Sequence, residues 1–282
     1  MSLGKKMKTN ITKKVATLGL LTLMCTTGCS TSMSGVNTNY SVNDISNISW
    51  SEKLMKYKKQ QWQIENEIVR DGNKSWKFTL QNGWCTSDYK HSDCATDRQR
   101  SEIMQKNYSR ITSKPFWYSV SIYVPHSYKS LGNGFPGKKS PSSNWVQLHQ
   151  TNAHSYAILR EKGSNEGINF DIMPNGDTVH RIYVGELNQF KGKWTDIKIH
   201  AKYSRNNDGF YVLYINNKKI GEYNGRTLSS LKRGDGTIRM DLGIYQSRIS
   251  KRSNKTAFPT QILYYDAVKV SHNLEDIGPN QN

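Results

Sequence analysis

The stretch Asn144-Trp145-Val146-Gln147-Leu148-His149-Gln150 decides the fold, because a glutamine and a histidine stand two residues apart among apolar neighbours. In an extended strand, side chains at i and i+2 point to the same face. The spacing predicts a strand that turns Trp145, Gln147 and His149 to one surface and Val146 and Leu148 into a core. An amide, an imidazole and an aromatic ring then share an open sheet face. A half-buried strand carries polar residues outward for no chemical reason about as often, so this run sets a period first and a site only in company.

The same period recurs along the chain. Phe116 to Val124 alternates and is stopped by Pro125; Gly167 to Met173, His180 to Leu187, Lys193 to Tyr203, Phe210 to Ile215, Ile238 to Gln246 and Thr260 to Ser271 do likewise. Asn216-Asn217 and Asp208-Gly209 are turn signals between such segments. No long segment of helical period follows the N-terminal region. Repeated short strands at this spacing predict an all-β, two-sheet antiparallel sandwich or jelly roll. The chain divides into an export segment (1–28), a tether rich in Ser, Thr and Asn (29–50), one β domain (51–276) and a short tail (277–282).

The N-terminus sets the compartment. Lys5, Lys6, Lys8, Lys13 and Lys14 precede an apolar run from Val15 to Met24, the layout of a secretory signal and too short for an ordinary membrane-spanning helix. Thr26-Thr27-Gly28-Cys29 resembles a bacterial lipoprotein cleavage box with Cys29 as the lipidated residue, although Thr26 replaces the usual leucine. The expectation is an exported, monomeric protein that meets a membrane only through that anchor, or is secreted after cleavage nearby.

Lys and Arg total 40 against 22 Asp and Glu, a net charge of +18, and removal of the five lysines ahead of Cys29 leaves +13. Such a surface concentrates polyanions. Nucleic acid is one class of polyanion, but no motif beyond charge supports it; an exported protein meets acidic polysaccharide. Cys85 and Cys94 are the two cysteines of the β domain, nine residues apart. In an oxidising compartment they predict a loop-closing disulfide that holds the approach to Asp97-Arg98-Gln99-Arg100-Ser101-Glu102. Only His91 lies near them, too few ligands for zinc.

Three distant strands each offer polar groups outward. Arg98, Arg100 and Glu102 share a face, as do Gln147 and His149. In Ile238 to Gln246 the apolar set Ile238, Met240, Leu242 and Ile244 leaves Arg239, Asp241 and Tyr245 opposite. Each alone reads as a solvated or packing face.

Together, Arg100-Ser101-Glu102, Gln147-Leu148-His149 and Gly243-Ile244-Tyr245-Gln246 resemble, in order and separation, the polysaccharide lyases of the concanavalin-like jelly-roll type, a group that includes heparin lyase I, glucuronan lyase and alginate lyases. The likeness runs from about Ile64 to Val270, and takes in Gly192-Lys193-Trp194-Thr195-Asp196 and the hairpin at Asn216-Asn217. Arg239-Met240-Asp241-Leu242 departs from the Tyr-Phe-Lys of the alginate-lyase strand. The resemblance implies a concave substrate groove and β-elimination on a uronic acid polymer of glucuronan, heparin-like, alginate or capsule type, leaving a 4,5-unsaturated end, and the departure favours a polymer other than alginate.

Such a lyase removes the weakly acidic C5 proton beside a carboxylate and expels the 4-linked oxygen, so negative charge must be offset as an enolate-like state develops. Arg100 and Gln147 are expected to offset it. His149, with an ordinary pKa near ~6.5, can accept a proton, and Tyr245, near ~10, can donate one, with surrounding cations expected to lower the tyrosine. Either can be the base, because the choice depends on the C5 configuration. Arg98, Lys251 and Arg252 are candidate subsite contacts, and Trp145 a stacking platform. No cofactor is called for; Asn206-Asn207-Asp208-Gly209 has oxygens suited to structural calcium but reads better as a turn. The competing class is a non-catalytic acidic-polysaccharide-binding module on the same fold. A jelly-roll glycoside hydrolase is disfavoured, since it needs two carboxylates across the scissile bond, and Glu166 and Asp171, five apart, point to opposite faces.

Overall fold

Period-two alternation resolves into two antiparallel sheets in a computed structural model, which describes residues 45–279 except 54, 56, 89–90, 133–139, 151–152, 164–166, 230–235 and 253–257. The segment expected to direct export, Cys29, most of the expected tether and Glu166 lie outside the described residues. One sheet runs β1 (Trp50–Glu52), β4 (Arg98–Gln105), β14 (Thr237–Ser247), β7 (Ser142–Gln150), β8 (Ser155–Lys162), β9 (Gly167–Ile172) and β10 (His180–Gly185), with β5 (Ser109–Arg110) also beside β14. The other runs β13 (Lys218–Gly225), β12 (Gly209–Ile215), β11 (Trp194–Lys202), β6 (Phe116–Tyr123), β15 (Gln261–Ser271), β3 (Ser75–Leu80) and β2 (Trp62–Glu65).

The core between the sheets is built by the expected phase. Ile238, Met240, Leu242 and Ile244 of β14 are all fully buried, and meet Phe78, Leu263 and Tyr265 among others in one hydrophobic cluster. The hairpin between β12 and β13 turns at Asn216 and Asn217, with φ of 48° and 64°, the left-handed pair that a two-residue primed turn requires. Asn206 to Gly209 is a turn, and the Asp208 carboxylate is taken by Lys202 Nζ at 2.9 Å and by Ser204 Oγ.

Trp145 departs from its expected place. It is 1 % exposed and lies in the core, edge-on to Tyr128 and Phe190, with its Nε1 donating to Tyr128 Oη at 3.2 Å. The reason is a β-bulge. Between β7 and β8 the register steps from Asn144↔Arg160 to Val146↔Leu159, so Trp145 has no partner of its own there. Between β14 and β7 it steps from Leu242↔Val146 to Tyr245↔Asn144. An extra residue shifts the facing of everything before it, so Trp145 and Val146 both turn inward and Asn144 turns out. Gly243 permits the step: its φ is 136°, and a Cβ there would lie 2.2 Å from Ser101 O. Tyr265, from the opposite sheet, sets its hydroxyl 2.7 Å from Gly243 O and 3.0 Å from Trp145 O, so both bulge carbonyls face a donor.

Candidate active site

On the outer face of the first sheet lies an open groove of about 390 Å³, lined by Arg100, Asn144, Gln147, His149 and Tyr245 with Lys53. The register assembles it: Tyr245 pairs with Arg100 on one side and Asn144 on the other, and Asp241 pairs with Gln147. Gln147, His149, Arg100 and Tyr245, from three strands, are thus brought together as the sequence predicts.

Arg100 is largely buried. Its Nε and Nη2 donate to the two Asp93 oxygens, both at 2.6 Å, and its Nη1 donates to Glu102 Oε2 at 2.9 Å. Burial opposes the charge, but the Asp93 hydrogen bonds and the field of Glu102 outweigh it and hold the guanidinium above its ordinary pKa. Its carbon sits 4.3 Å from the centre of the Tyr245 ring. Asp93 stands next to Cys94, and the Cys85–Cys94 disulfide, with a Cα–Cα separation of 5.0 Å, closes the loop that presents this carboxylate.

From Arg100 the contacts run on as a network. Glu102 Oε1 accepts from Gln147 Nε2, and Gln147 Oε1 accepts from Asn144 Nδ2 at 3.2 Å and Ser155 Oγ at 3.0 Å. Ser155 Oγ also lies 2.6 Å from His149 Nε2, so the serine joins Gln147 to the imidazole. Asp241 Oδ2, 3.4 Å from the same nitrogen, is an acceptor. Nδ1 is buried, and the Ala153 backbone adds a hydrogen bond to the ring, so the imidazole is held from both sides. Lys53 Nζ closes the circuit, 2.5 Å from Asp241 Oδ2 and 3.1 Å from Glu102 Oε2, and Arg239 Nε meets Asp241 Oδ1 at 2.9 Å.

Electrostatics sets the two proton-transfer candidates apart. Burial, reinforced by Lys53 and Arg239, pushes His149 well below the ordinary histidine pKa, so the ring is neutral. Tyr245 is raised rather than lowered: burial outweighs the pull of Arg100 and Arg98, and Glu102 and Asp93 add to it. The expectation that cations would acidify this tyrosine fails because they are offset by carboxylates and the ring is sunk beside them.

Of the remaining predicted contacts, Arg98 lines the groove. Lys251 and Arg252 do not: Lys251 is exposed, whereas Arg252 is buried with its guanidinium carbon 4.4 Å from the centre of the Phe258 ring. Arg248 lines the groove instead, its φ of 58° turning the chain as β14 ends. Lys53, Asp93, Asn144 and Ser155 escaped the sequence reading. Asp93 alone carried a local signal, its place beside Cys94.

A two-sheet jelly roll whose open face carries an imidazole, a phenol and an amide over a charged network defines a class, the polysaccharide-cleaving lyases. The sequence model described as "Polysaccharide lyase" matches residues 38–269, and the chain belongs to that family. Among solved structures, the endo-β-1,4-glucuronan lyase from the fungus Trichoderma reesei is 15% identical, with a TM-score of 0.60 over 83% of this chain and 99% of that one. The alginate lyase AlyC3 is 10% identical with a TM-score of 0.43, covering 74% of this chain and 88% of that one. Comparison with curated proteins gives no sequence match. The likeness to the glucuronan lyase establishes the jelly-roll fold; the family match makes the chain a polysaccharide lyase.

Proposed function

We propose that the lyase cleaves a uronic acid-containing acidic polysaccharide by β-elimination, and that His149 and Tyr245 carry the proton transfers. The carrying observation is their opposed protonation over one groove: a neutral imidazole and a protonated phenol flank the Gln147 amide. Two titratable groups driven apart by their surroundings are the pattern of an acid–base pair.

In this reading the His149 imidazole accepts the C5 proton, and the C5 electron pair forms the C4–C5 double bond as the C4–O bond breaks. Tyr245 protonates the departing oxygen. The imidazolium that forms is stabilised by Asp241 at Nε2. Gln147 and Asn144 offer amide hydrogens to the substrate carboxylate as negative charge spreads onto it. Arg100 is a positioning residue, because its donors are committed to Asp93 and to Glu102, which holds Gln147. Supporting the choice of a polyanion are the net charge, +13 once the five lysines ahead of Cys29 are removed from +18, and the fold shared with a glucuronan lyase. We further propose export, with Cys29 as a lipid anchor; a disulfide such as Cys85–Cys94 persists in oxidising compartments.

The test is a panel of uronic acid polymers followed by the ultraviolet absorbance of the new C4–C5 double bond. The wild type should give that product on at least one polymer. His149→Ala and Tyr245→Phe should each lower turnover, by roughly 10²–10⁴-fold for a proton-transfer group. Full activity in both folded variants would refute the assignment, and binding without unsaturated product would replace it with a binding module.

A further inference from the structure

The central network is electrically balanced. Arg100, Lys53 and Arg239 face Asp93, Glu102 and Asp241, three cations against three carboxylates. The groove's positive surplus must lie elsewhere along it.

It lies at one end. Tyr245 pairs with Asn144 and Asn144 with Arg160, while Arg98 pairs with Ser247, the residue before Arg248. Arg98, Arg160 and Arg248 all line the groove. Arg160 is largely buried; its Nη2 donates to Asp171, while its buried Nε has no hydrogen-bond partner among the described residues. Arg98 spends Nη1 on Thr96 O at 3.2 Å, and among the described residues neither Arg98 nor Arg248 forms an ion pair. Asn144 Oδ1 is a buried acceptor without a hydrogen-bond partner among the described residues. Burial, then the fields of Arg160 and Arg98, lower the Arg248 pKa. Arg248 is held there by its own backbone: its N–H donates to Asp97 O at 2.9 Å in the left-handed conformation.

We propose that Arg98, Arg160 and Arg248 form a second anion subsite, which takes a carboxylate or sulfate on a sugar neighbouring the one that reacts, with Asn144 accepting from a hydroxyl of the chain. Arg160 pairs with Asn144, which pairs with Tyr245, and Arg98 pairs with Ser247, two residues past Tyr245 along β14, on the order of 7 Å at the rise of a strand, so the cluster lies on the far side of Tyr245 from Gln147. The substrate class is then a polymer with anionic groups on adjacent sugars rather than one alternating uronate with a neutral sugar. This rests on the uronate reading above, and its test is read by binding so that the two can fail separately.

The experiment measures, by titration calorimetry, the affinity of the intact protein for three tetrasaccharides: contiguous glucuronates, glucuronate alternating with neutral N-acetylhexosamine, and glucuronate alternating with sulfated hexosamine. Arg248→Gly removes the cation, and glycine takes its left-handed φ without strain. The variant should lose roughly tenfold affinity, the scale of one charged hydrogen bond, for the contiguous or the sulfated ligand. Which of the two falls identifies carboxylate or sulfate. The loss for the neutral-alternating ligand should be smaller. Lys218→Ala, which removes one exposed charge from the opposite sheet, should change none of them. Equal losses on all three ligands, no loss on any, or no binding by the wild type would overturn the subsite. Binding as expected with no unsaturated product would overturn the elimination mechanism and leave the subsite standing.

Discussion

Replacing Asp93 with alanine tests the claim that the disulfide loop holds the site together. Asp93 and Arg100 are 2 % and 8 % exposed and share two hydrogen bonds of 2.6 Å. Removing one partner of a buried pair strands the other charge, at a cost of about 3–5 kcal/mol. Glu102 still meets Nη1 at 2.9 Å, so the lower end, about 3 kcal/mol, is expected. The Cys85→Ser/Cys94→Ser variant, which opens a loop of sequence separation 9, should lose roughly 2–3 kcal/mol through the freed unfolded chain. The triple variant separates two mechanisms. If the bridge acts only on the unfolded chain, the losses add; if it also holds Asp93 on Arg100, the total falls short by about 1 kcal/mol or more. Urea unfolding at unchanged slope gives these values. Turnover should fall in Asp93→Ala as well, because Arg100 braces Glu102 and Glu102 holds Gln147. A stability loss below about 1 kcal/mol with full activity would refute the bracing argument.

Two further outcomes follow from the pKa directions. In a pH profile of kcat/KM, activity should persist below the ordinary histidine range, because His149 is depressed and stays neutral there, and should fall only as Tyr245 ionises above its ordinary value; activity that instead climbs toward alkaline pH would make tyrosinate the base. Glu161, pushed up to about 7 by burial against the hydrogen bonds of Ser130 and the Leu131 backbone, is protonated in the fold while its unfolded counterpart ionises near ~4.5. Its favourable contribution is therefore full below the unfolded pKa and is lost as pH rises toward the folded one. Thermal melts should show the wild type losing up to about 3 kcal/mol relative to Glu161→Gln between pH 4.5 and 7; parallel pH curves for the two proteins would reject this.

Period two was enough to place β4, β7 and β14 and to say which of their residues face out. Arg100, Gln147, His149 and Tyr245 were legible because strand facing is a local property, set by φ and ψ and by the pull of Val146, Leu148, Met240 and Leu242 into the core. Trp145 was misread because a bulge is not visible in alternation: one extra residue inverts the phase, and the partner strands decide where it falls. Asn144 was missed for the same reason, since the inversion that buries Trp145 turns Asn144 outward. The acidity of Tyr245 was misjudged because its sign depends on burial and on carboxylates brought from other segments.

What the sequence determined by itself is therefore the all-β class, the turns, the Cys85–Cys94 pair, and the residues of each strand that face outward. These follow from neighbours within a few positions along the chain. Only the tertiary structure decided that Lys53 bridges Glu102 and Asp241, that Asp93 neutralises Arg100, and that Arg248 rather than Lys251 or Arg252 enters the groove. Lys53 and Asp241 are 188 residues apart, and no pattern along a chain encodes such a pairing; it arises because burial of the two apolar faces fixes strand order and register, and charges on the outer face must then find partners among whatever the register sets beside them.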